Sequence, residues 1–574
     1  MDDPLHTFIS TKHLIAYFSM EIALTPKIPN YSGGLGVLAG DTLKSFADLN
    51  LDVVGITLLS EKGYFNQKLD EFNYQHENEV QWNKEEFLKK LDVTVQVQIG
   101  SRNVDVSAWE YTLIGHRGKP LKIYFLDTNL PQNSDKDKLL TSYLYGGDMD
   151  YRLEQEIILG IGGIRILRAL NIAPKKYHMN EGHAAFLTLE LLRETTPLLP
   201  IFEERFNLVK DLCTFTTHTP VPAGHDAFEE QKVRLALGDL FPNEHRDKIC
   251  LTGKFSMTAL ALEFSSYKNA VARKHKQVSE KMFPDQTIDH ITNGVHSMTW
   301  THPLIAELFD KYTLNWRSNP LELRMAYKIP ITELRSKHDE CKKELFQYVE
   351  EKTKIKLDPE VFTIGFARRS TTYKRPELVF RDFERLKHIA NSKKGIQIIF
   401  AGKAHPRDTE GKKIIQRIVG LTNYSTDKLK IIFLENYDMD IAKKIISGVD
   451  LWLNTPKRPL EASGTSGMKA AHNGVPSLSI LDGWWVEGCI ENITGWAIGE
   501  EFVDGDDNYI DHQDAQKLYD KLEQKILPLY YEDNDEYTIV MRNSIAINAA
   551  YFNTHRMAYQ YILRAYVRNH TLNN

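Results

Sequence analysis

The chain has 574 residues, of which 42% are hydrophobic and 26% charged, and 71 Lys and Arg stand against 77 Asp and Glu, a balance of −6. A chain of this length divides into about two large or three ordinary domains. The composition excludes a disordered chain, a collagen-like repeat and a coiled-coil rod, and the charge gives no electrostatic case for nucleic acid as the main partner.

The first residues, Met1-Asp2-Asp3-Pro4, are acidic and lack the basic start and apolar stretch of a signal peptide. Strands are expected at 14–18, 53–57, 123–126, 214–217, 363–367, 396–401, 430–434, 451–453 and 477–481, which are short β-branched runs, many of them nearly all apolar, as strands buried on both faces are. Helical patterns lie between several of them, at 154–170, 184–192, 377–391 and 440–447. Such alternation implies parallel sheets covered on both faces, and therefore an α/β fold. Two sheets are expected, with a break between about 300 and 355, where the β signal vanishes and a charged helical stretch at 331–352 takes over. The tail from 537 to 567 reads as one or two more helices. The longest apolar run, near 157–164, is ended by Arg165 and is too short to cross a bilayer. Cys213, Cys250, Cys341 and Cys489 are scattered, with no CxxC pair, which fits a reducing compartment and predicts a cytoplasmic protein.

The most informative stretch is Glu461-Ala-Ser-Gly-Thr-Ser-Gly-Met-Lys469, after an expected strand and before helix-favouring residues. Ser463, Gly464, Thr465, Ser466 and Gly467 are small enough for backbone N–H groups to converge on an anion at a helix N-terminus. Lys469 lies four residues after Thr465, so the two share one helix face. Pyridoxal phosphate, with an aldehyde for a lysine amine and a phosphate nearby, has the matching shape. On spacing alone, a solvated lysine after an ordinary turn stands as the alternative. The P-loop pattern of nucleotide-binding proteins is absent.

Further motifs follow one another in order: Tyr17-Phe-Ser-Met-Glu21, Asn30-Tyr-Ser-Gly33-Gly34-Leu-Gly36, Gly63-Tyr-Phe-Asn-Gln67, His178-Met-Asn-Glu-Gly-His183, Thr217-His-Thr-Pro220, Thr292-Asn-Gly-Val295, Arg368-Arg369-Ser-Thr-Thr-Tyr-Lys374-Arg375, Ala401-Gly-Lys-Ala404, Phe433-Leu-Glu-Asn-Tyr437 and Asp482-Gly483. With the Lys469 segment, this ordered set resembles the α-glucan (glycogen, starch, maltodextrin) phosphorylases, particularly their short prokaryotic form, over essentially the whole chain.

The resemblance implies two Rossmann-like domains facing a central cleft, the GT-B-type architecture of glycosyltransferases. It assigns 1–310 to an N-terminal glucan- and phosphate-side domain, 311–545 to a domain binding pyridoxal 5′-phosphate, and 546–574 to a C-terminal helix crossing back to the first. The implied reaction is phosphorolysis of α-1,4-glucans from the non-reducing end, giving α-D-glucose 1-phosphate with retention. The cofactor's 5′-phosphate would relay a proton through the substrate phosphate. Lys469 would hold the cofactor, with Thr465, Ser466 and Arg368 around it. Arg369 and Lys374 would bind the substrate phosphate. Gly34 would offer its backbone N–H to that phosphate. His218, His183 and Asn293 would meet the glucosyl unit, and Glu461, Ala462, Ser463 and Gly464 would hold its hydroxyls. Lys469, Arg369, Lys374 and His218 are the residues implied to carry catalysis. Taken from the charge cluster alone, residues 368–375 read first as a solvated basic turn; their place after a buried strand and the order of the motifs reverse that reading.

Long family members carry N-terminal regulatory sites, for which no room is expected here, and the family commonly forms homodimers. Ser466 stands where glycine is usual in long forms, Arg368 where lysine is usual, and His472 falls at a position expected to be apolar. Gly160-Ile-Gly162-Gly163 lies inside a helical pattern and reads as close helix packing, not dinucleotide binding. His178, His183, His218 and His225 lack the helix spacing of a zinc site, so no metal is expected. The competing readings are a nucleotide-sugar glucan synthase of the same architecture, which would not need Lys469, a glucan-binding non-enzyme, which would tolerate loss of Lys469, Arg369 or Lys374, and an aminotransferase, which would present its cofactor lysine in another context.

Overall fold

A computed structural model describes residues 14–567. It divides into two compact units: the first is Met1–Phe65, Glu79–Thr292 and Met557–Asn574, the second Asn66–Asn78 and Asn293–Arg556. The division at Thr292/Asn293 comes earlier in the chain than position 310, and the return to the first unit at Met557 comes later than position 546. Among the described residues no helix is long and apolar enough to cross a membrane.

The first unit is built on a nine-stranded sheet. Its strands are β1 (Ile15–Phe18), β2 (Val53–Leu58), β3 (Lys89–Ile99), β4 (Arg102–Ile114), β5 (Pro120–Asp127), β6 (Lys176–Asn180), β7 (Cys213–Thr216), β8 (Tyr267–Ala270) and β9 (Asp289–His290). The spatial order is β9-β8-β7-β6-β1-β2-β5-β4-β3, parallel from β9 to β5 and antiparallel beyond. β1 and β2 are buried along their whole length, as their apolar runs require. β3 alternates between exposed positions and half-buried ones that become fully buried at Val97 and Ile99, because its polar residues face solvent at the open edge. One core lies on the face of Phe18 and Ile56, the other on the face of Tyr17 and Ile123, and the latter is closed by Met557, Tyr561, Ile562 and Tyr566. The helical pattern at 154–170 is an α-helix, Met149–Ile157, with a π-helical turn, Ile158–Gly162, and a further helix, Gly163–Ala169. A Cβ on Gly160 would lie 2.6 Å from the Leu187 backbone nitrogen, and one on Gly163 2.5 Å from the Phe18 ring, so these glycines serve helix packing.

The second unit is built on a six-stranded parallel sheet: β10 (Phe362–Ala367), β11 (Ile396–Ala401), β12 (Leu429–Leu434), β13 (Leu451–Asn454), β14 (Ser477–Ile480) and β15 (Gly495–Ile498). The order is β12-β11-β10-β13-β14-β15. Numbered within its own sheet this is 3-2-1-4-5-6, the doubly wound order, with a switch point between β10 and β13. The parallel part of the first sheet runs the same way, with its switch point between β1 and β6. A polar anchor ties the long helix Ile331–Thr353 to the start of β10 and β13. The Lys342 ammonium donates to Asp450 Oδ2 at 2.6 Å, to the Val361 carbonyl at 2.9 Å and to Tyr530 Oη at 3.1 Å. Asp450 also accepts from the Thr363 backbone N–H at 2.8 Å and lies 3.2 Å from His338 Nε2. Burial would raise this carboxyl, but Lys342 and His338 hold it well below the usual carboxylate range.

Candidate active-site clusters

In the second unit, the loops leaving β10, β13 and β14 meet at the switch point. Arg368 follows β10 directly. Its Nη1 donates to Asn454 Oδ1 at 3.0 Å and its Nη2 to Glu461 Oε2 at 2.5 Å. The buried Lys374 donates to the same Glu461 oxygen at 2.5 Å. Burial works to raise the Glu461 carboxyl, but the two cations overcome it and hold the group at about 2. The Glu461 backbone N–H donates to Asp482 Oδ2 at 2.9 Å. Burial, with the nearby charge of Glu461 and against that backbone bond, pushes the Asp482 carboxyl up to about 7. Gly483 turns the chain here with φ +56°, and a Cβ on it would lie 2.3 Å from the Ser463 carbonyl, so only glycine allows the two loops this approach.

The basic turn is not uniform. Arg375, at φ +44°, points the other way and is fixed by the Thr455 and Pro456 carbonyls, Asp511 and Asp514. Arg369 is exposed, and no hydrogen bond or ion pair to it is seen among the described residues. Lys403, after β11, is drawn down to about 8 by burial, against the pull of Asp438. Three buried polar atoms on these loops, Arg368 Nε, Thr371 Oγ1 and Ser463 Oγ, have no hydrogen-bond partner among the described residues.

Lys469 sits in the short helix Ser466–Ala471, with Thr465 at its N-cap, and its backbone N–H donates to the Thr465 carbonyl at 3.1 Å. The lysine is 8% exposed, and its amine stands 3.9 Å from the centroid of the Trp300 ring. Ser466 is tied inward: its hydroxyl accepts from Trp452 Nε1 at 3.0 Å and reaches Asn454 Oδ1 at 3.4 Å. Ala462 and Gly464 are half-buried on the same loop. Asn293 opens the segment leading to Trp300 and is buried, its Oδ1 without a partner among the described residues.

The next two residues explain the unexpected histidine. His472 Nδ1 lies 2.8 Å from the Met468 carbonyl, which can only accept, so Nδ1 carries the proton. Nε2 is then the acceptor for the Ser297 hydroxyl at 2.9 Å. Asn473 donates to the Trp300 carbonyl at 2.8 Å and to the Lys469 carbonyl at 3.0 Å, and accepts from the His302 N–H at 2.7 Å. Together they bind the lysine helix to the segment carrying Trp300. Burial lowers His472 from 6.5 to about 4, so it is neutral in the folded protein. The unfolded chain takes up a proton below pH 6.5 that the folded chain refuses until about pH 4, so this group's share of stability is present above 6.5 and is lost as pH falls toward 4. His472→Leu is expected to give a lower Tm at neutral pH, where Ser297 loses its partner, but a shallower fall of Tm across that acid window than the wild type.

In the first unit, the corresponding switch point gathers Glu21 after β1, Asn180 at the end of β6 and Glu181 just after it, and His218 after β7. Glu21 accepts from the Ser32 N–H at 2.5 Å, the Gly33 N–H at 3.4 Å and Tyr145 Oη at 3.0 Å, which fixes the glycine loop. Gly34 is exposed at the start of the helix Gly34–Asp48, and a Cβ on it would meet nothing within 4 Å. Protein packing therefore does not demand glycine there. Asn180 Nδ2 donates to Ser19 Oγ at 3.1 Å, which turns its Oδ1 toward His218 Nε2 at 2.7 Å. His218 thus carries its proton on Nε2 and presents an unprotonated Nδ1. Burial lowers it to about 4, so it is neutral near pH 7 and can accept, not supply, a proton at Nδ1.

His183 Nε2 lies 3.3 Å from Asp226 Oδ2, and these two with Glu156 form a group whose ligand atoms all fall within 4.8 Å. The Arg152 Nε stands between the two carboxylates, 2.9 Å from Glu156 and 3.2 Å from Asp226. The guanidinium takes the place a cation would need, and we assign no metal there. Asn180, Glu181, Trp300, Asn454 and Asp482 had no role in the sequence reading, although Asn180, Glu181 and Asp482 lie inside motifs it singled out. Their signal is position: each lies at or beyond the carboxyl end of a buried strand, apart from Trp300.

Comparison with known proteins bears on this geometry. The carbohydrate phosphorylase family model matches residues 243–495. The maltodextrin phosphorylase of Thermococcus litoralis is 39% identical over 98% of this chain and 72% of its own length. The glycogen phosphorylase of Aquifex aeolicus is 35% identical over 97% of this chain and 86% of its own. The chain belongs to the carbohydrate phosphorylase family. A further relative, an uncharacterized protein of Methanocaldococcus jannaschii, is 32% identical over 96% of this chain and 99% of its own length. This phosphorylase therefore has relatives that match it almost end to end.

Proposed function

We propose that this phosphorylase cleaves α-1,4-glucans at the non-reducing end with inorganic phosphate, releasing α-D-glucose 1-phosphate with retention of configuration. The observation that carries the reading is the cation pair Arg368 and Lys374 at the β10/β13 switch point, with the buried Lys469 amine on the short helix after β13, in a chain of this family. In the reaction the glycosidic C–O bond breaks, the leaving oxygen gains a proton, and a phosphate oxygen bonds to the anomeric carbon. Two phosphate groups at one place repel unless cations surround them, and Arg368 and Lys374, with Arg369 from the same turn, supply that charge. Glu461, kept ionised, fixes both cations and offers carboxylate oxygens to sugar hydroxyls, beside Ala462, Ser463 and Gly464. His218 Nδ1 accepts a hydrogen bond from the glucosyl unit, with His183 and Asn293 also on the sugar and the Gly34 N–H on the substrate phosphate.

Pyridoxal 5′-phosphate fits the residues present: a buried lysine amine against an indole, and unpartnered polar atoms of Arg368, Thr371 and Ser463 on adjoining loops suited to an anion. Lys469 would hold it, with Thr465, Ser466 and Arg368 about its phosphate. When bound, it supplies a phosphate that exchanges a proton with the substrate phosphate. The reading includes a GT-B-type arrangement with both clusters facing one cleft, and the homodimer common in the family. The four cysteines are free, which supports a cytoplasmic location.

The test is incubation of the purified protein with maltoheptaose and phosphate, assayed for glucose 1-phosphate; no product would overturn the assignment. Lys374→Ala in the same assay is expected to raise KM for phosphate and lower turnover, together by about 10²-fold or more in kcat/KM. An unchanged phosphate dependence would remove Lys374 from the anion site.

A further inference from the structure

We infer that Glu181 is a positioning residue that sets His218 for the glucosyl unit; this rests on the proposed function. Glu181 directly follows β6 and is buried, yet it adopts φ +78° and ψ 166°, a conformation that L-residues other than glycine rarely hold. Such strain persists where the surroundings force it, and here they do. Its Oε2 accepts from the His218 backbone N–H at 2.8 Å and from Thr219 Oγ1 at 3.0 Å, and its Oε1 accepts from the Gly182 N–H at 3.1 Å.

Asn180 and Glu181 thus grip one histidine from two sides. The amide holds the imidazole by Nε2, and the carboxylate holds the main chain from which that imidazole springs. The backbone grip settles where the ring pivots, and the amide grip settles its rotation and tautomer. Neither alone fixes the direction of Nδ1. A glycine at 181 would satisfy the backbone without strain, so folding alone gives no reason for a side chain there. The carboxylate is what the strained position gains, and its hydrogen bonds end on His218 and Thr219, beyond Gly182.

The experiment compares wild type with Glu181→Gln, Glu181→Ala and Glu181→Gly. Glutamine has one acceptor oxygen where the carboxylate has two, so it cannot keep all three bonds. Glycine removes the grip and the strain together. Each protein is assayed by phosphorolysis of maltoheptaose, by calorimetric titration with maltoheptaose alone, and by thermal unfolding. Glu181→Gly is expected to unfold at or above the Tm of Glu181→Ala, yet to show kcat/KM for the glucan down by about tenfold or more, with KM for phosphate unchanged. Maltoheptaose affinity falls in parallel. Two results overturn the inference: unchanged glucan affinity in both Glu181→Gly and Glu181→Gln, or KM values for glucan and phosphate that move together. Absence of glucose 1-phosphate from wild type would sink the functional reading instead, and the titration would still test the grip on the sugar side.

Discussion

Lys469→Ala is expected to form no glucose 1-phosphate above background, a loss of at least about 10³-fold, and to retain no pyridoxal phosphate after gel filtration. The amine is buried against Trp300 in a helix that His472 and Asn473 hold from the next turn. Those hydrogen bonds do not involve the amine, so the variant should keep its fold, and a Tm near that of wild type stripped of cofactor would show the loss to be chemical. Lys469→Arg keeps the charge over the indole but cannot form a covalent link through a primary amine, and should be equally inactive. The measurements are the cofactor absorbance of the purified protein and product formation from maltoheptaose. Full activity in Lys469→Ala would end the assignment of this lysine.

The second large effect is on stability. Asp450→Ala should cost about 3–5 kcal/mol, because it leaves the Lys342 ammonium buried without its counter-charge. Lys342 and Asp450 are both essentially inaccessible to water. The substitution also strips an acceptor from the Thr363 N–H, at the second residue of β10. For a unit of this size, that corresponds to a fall in Tm of roughly 10 °C. Replacing both partners, as in Asp450→Leu with Lys342→Met, should recover most of the loss, since no unpaired charge then remains. Thermal unfolding of the three proteins decides it; a cost below about 1 kcal/mol for the single variant would mean that the ammonium finds water.

The parts of the fold legible in the sequence were those written in one kind of residue. Ile396–Ala401 is apolar but for Gln397 and is a strand over that same span, buried on both faces. Lys89–Ile99 and Arg102–Ile114 escaped notice because each shows solvent a polar row, and alternation of lysine, aspartate and glutamine with valine is a weaker signal than an unbroken apolar run. Lys176–Asn180 was hidden for a similar reason: its histidine and asparagine are buried but hydrogen-bonded, which composition does not reveal. In the candidate site, the cluster from Arg368 to Arg375 was visible as charge. The sequence could not say that Lys374 and Arg375, adjacent in the chain, face opposite ways, since this depends on one left-handed residue. His472 looked out of place because burial was legible at its position but the serine hydroxyl opposite, from 175 residues earlier, was not.

The chain crosses between its two units at four places: Phe65/Asn66, Asn78/Glu79, Thr292/Asn293 and Arg556/Met557. The first excursion is a hairpin whose Gln67 and Gln75 side chains bond the Gly402 and Ala404 backbone, while Gln67 also pairs with Asn436. A fragment starting at Asn293 would lack that hairpin and leave those groups open, and one ending at Thr292 would lack the aromatic lid of Tyr561 and Tyr566. Neither half is a self-sufficient piece of polypeptide. Gene truncation or swapping of halves between relatives would have to move discontinuous segments together, so the protein is constrained to evolve by substitution along the whole chain.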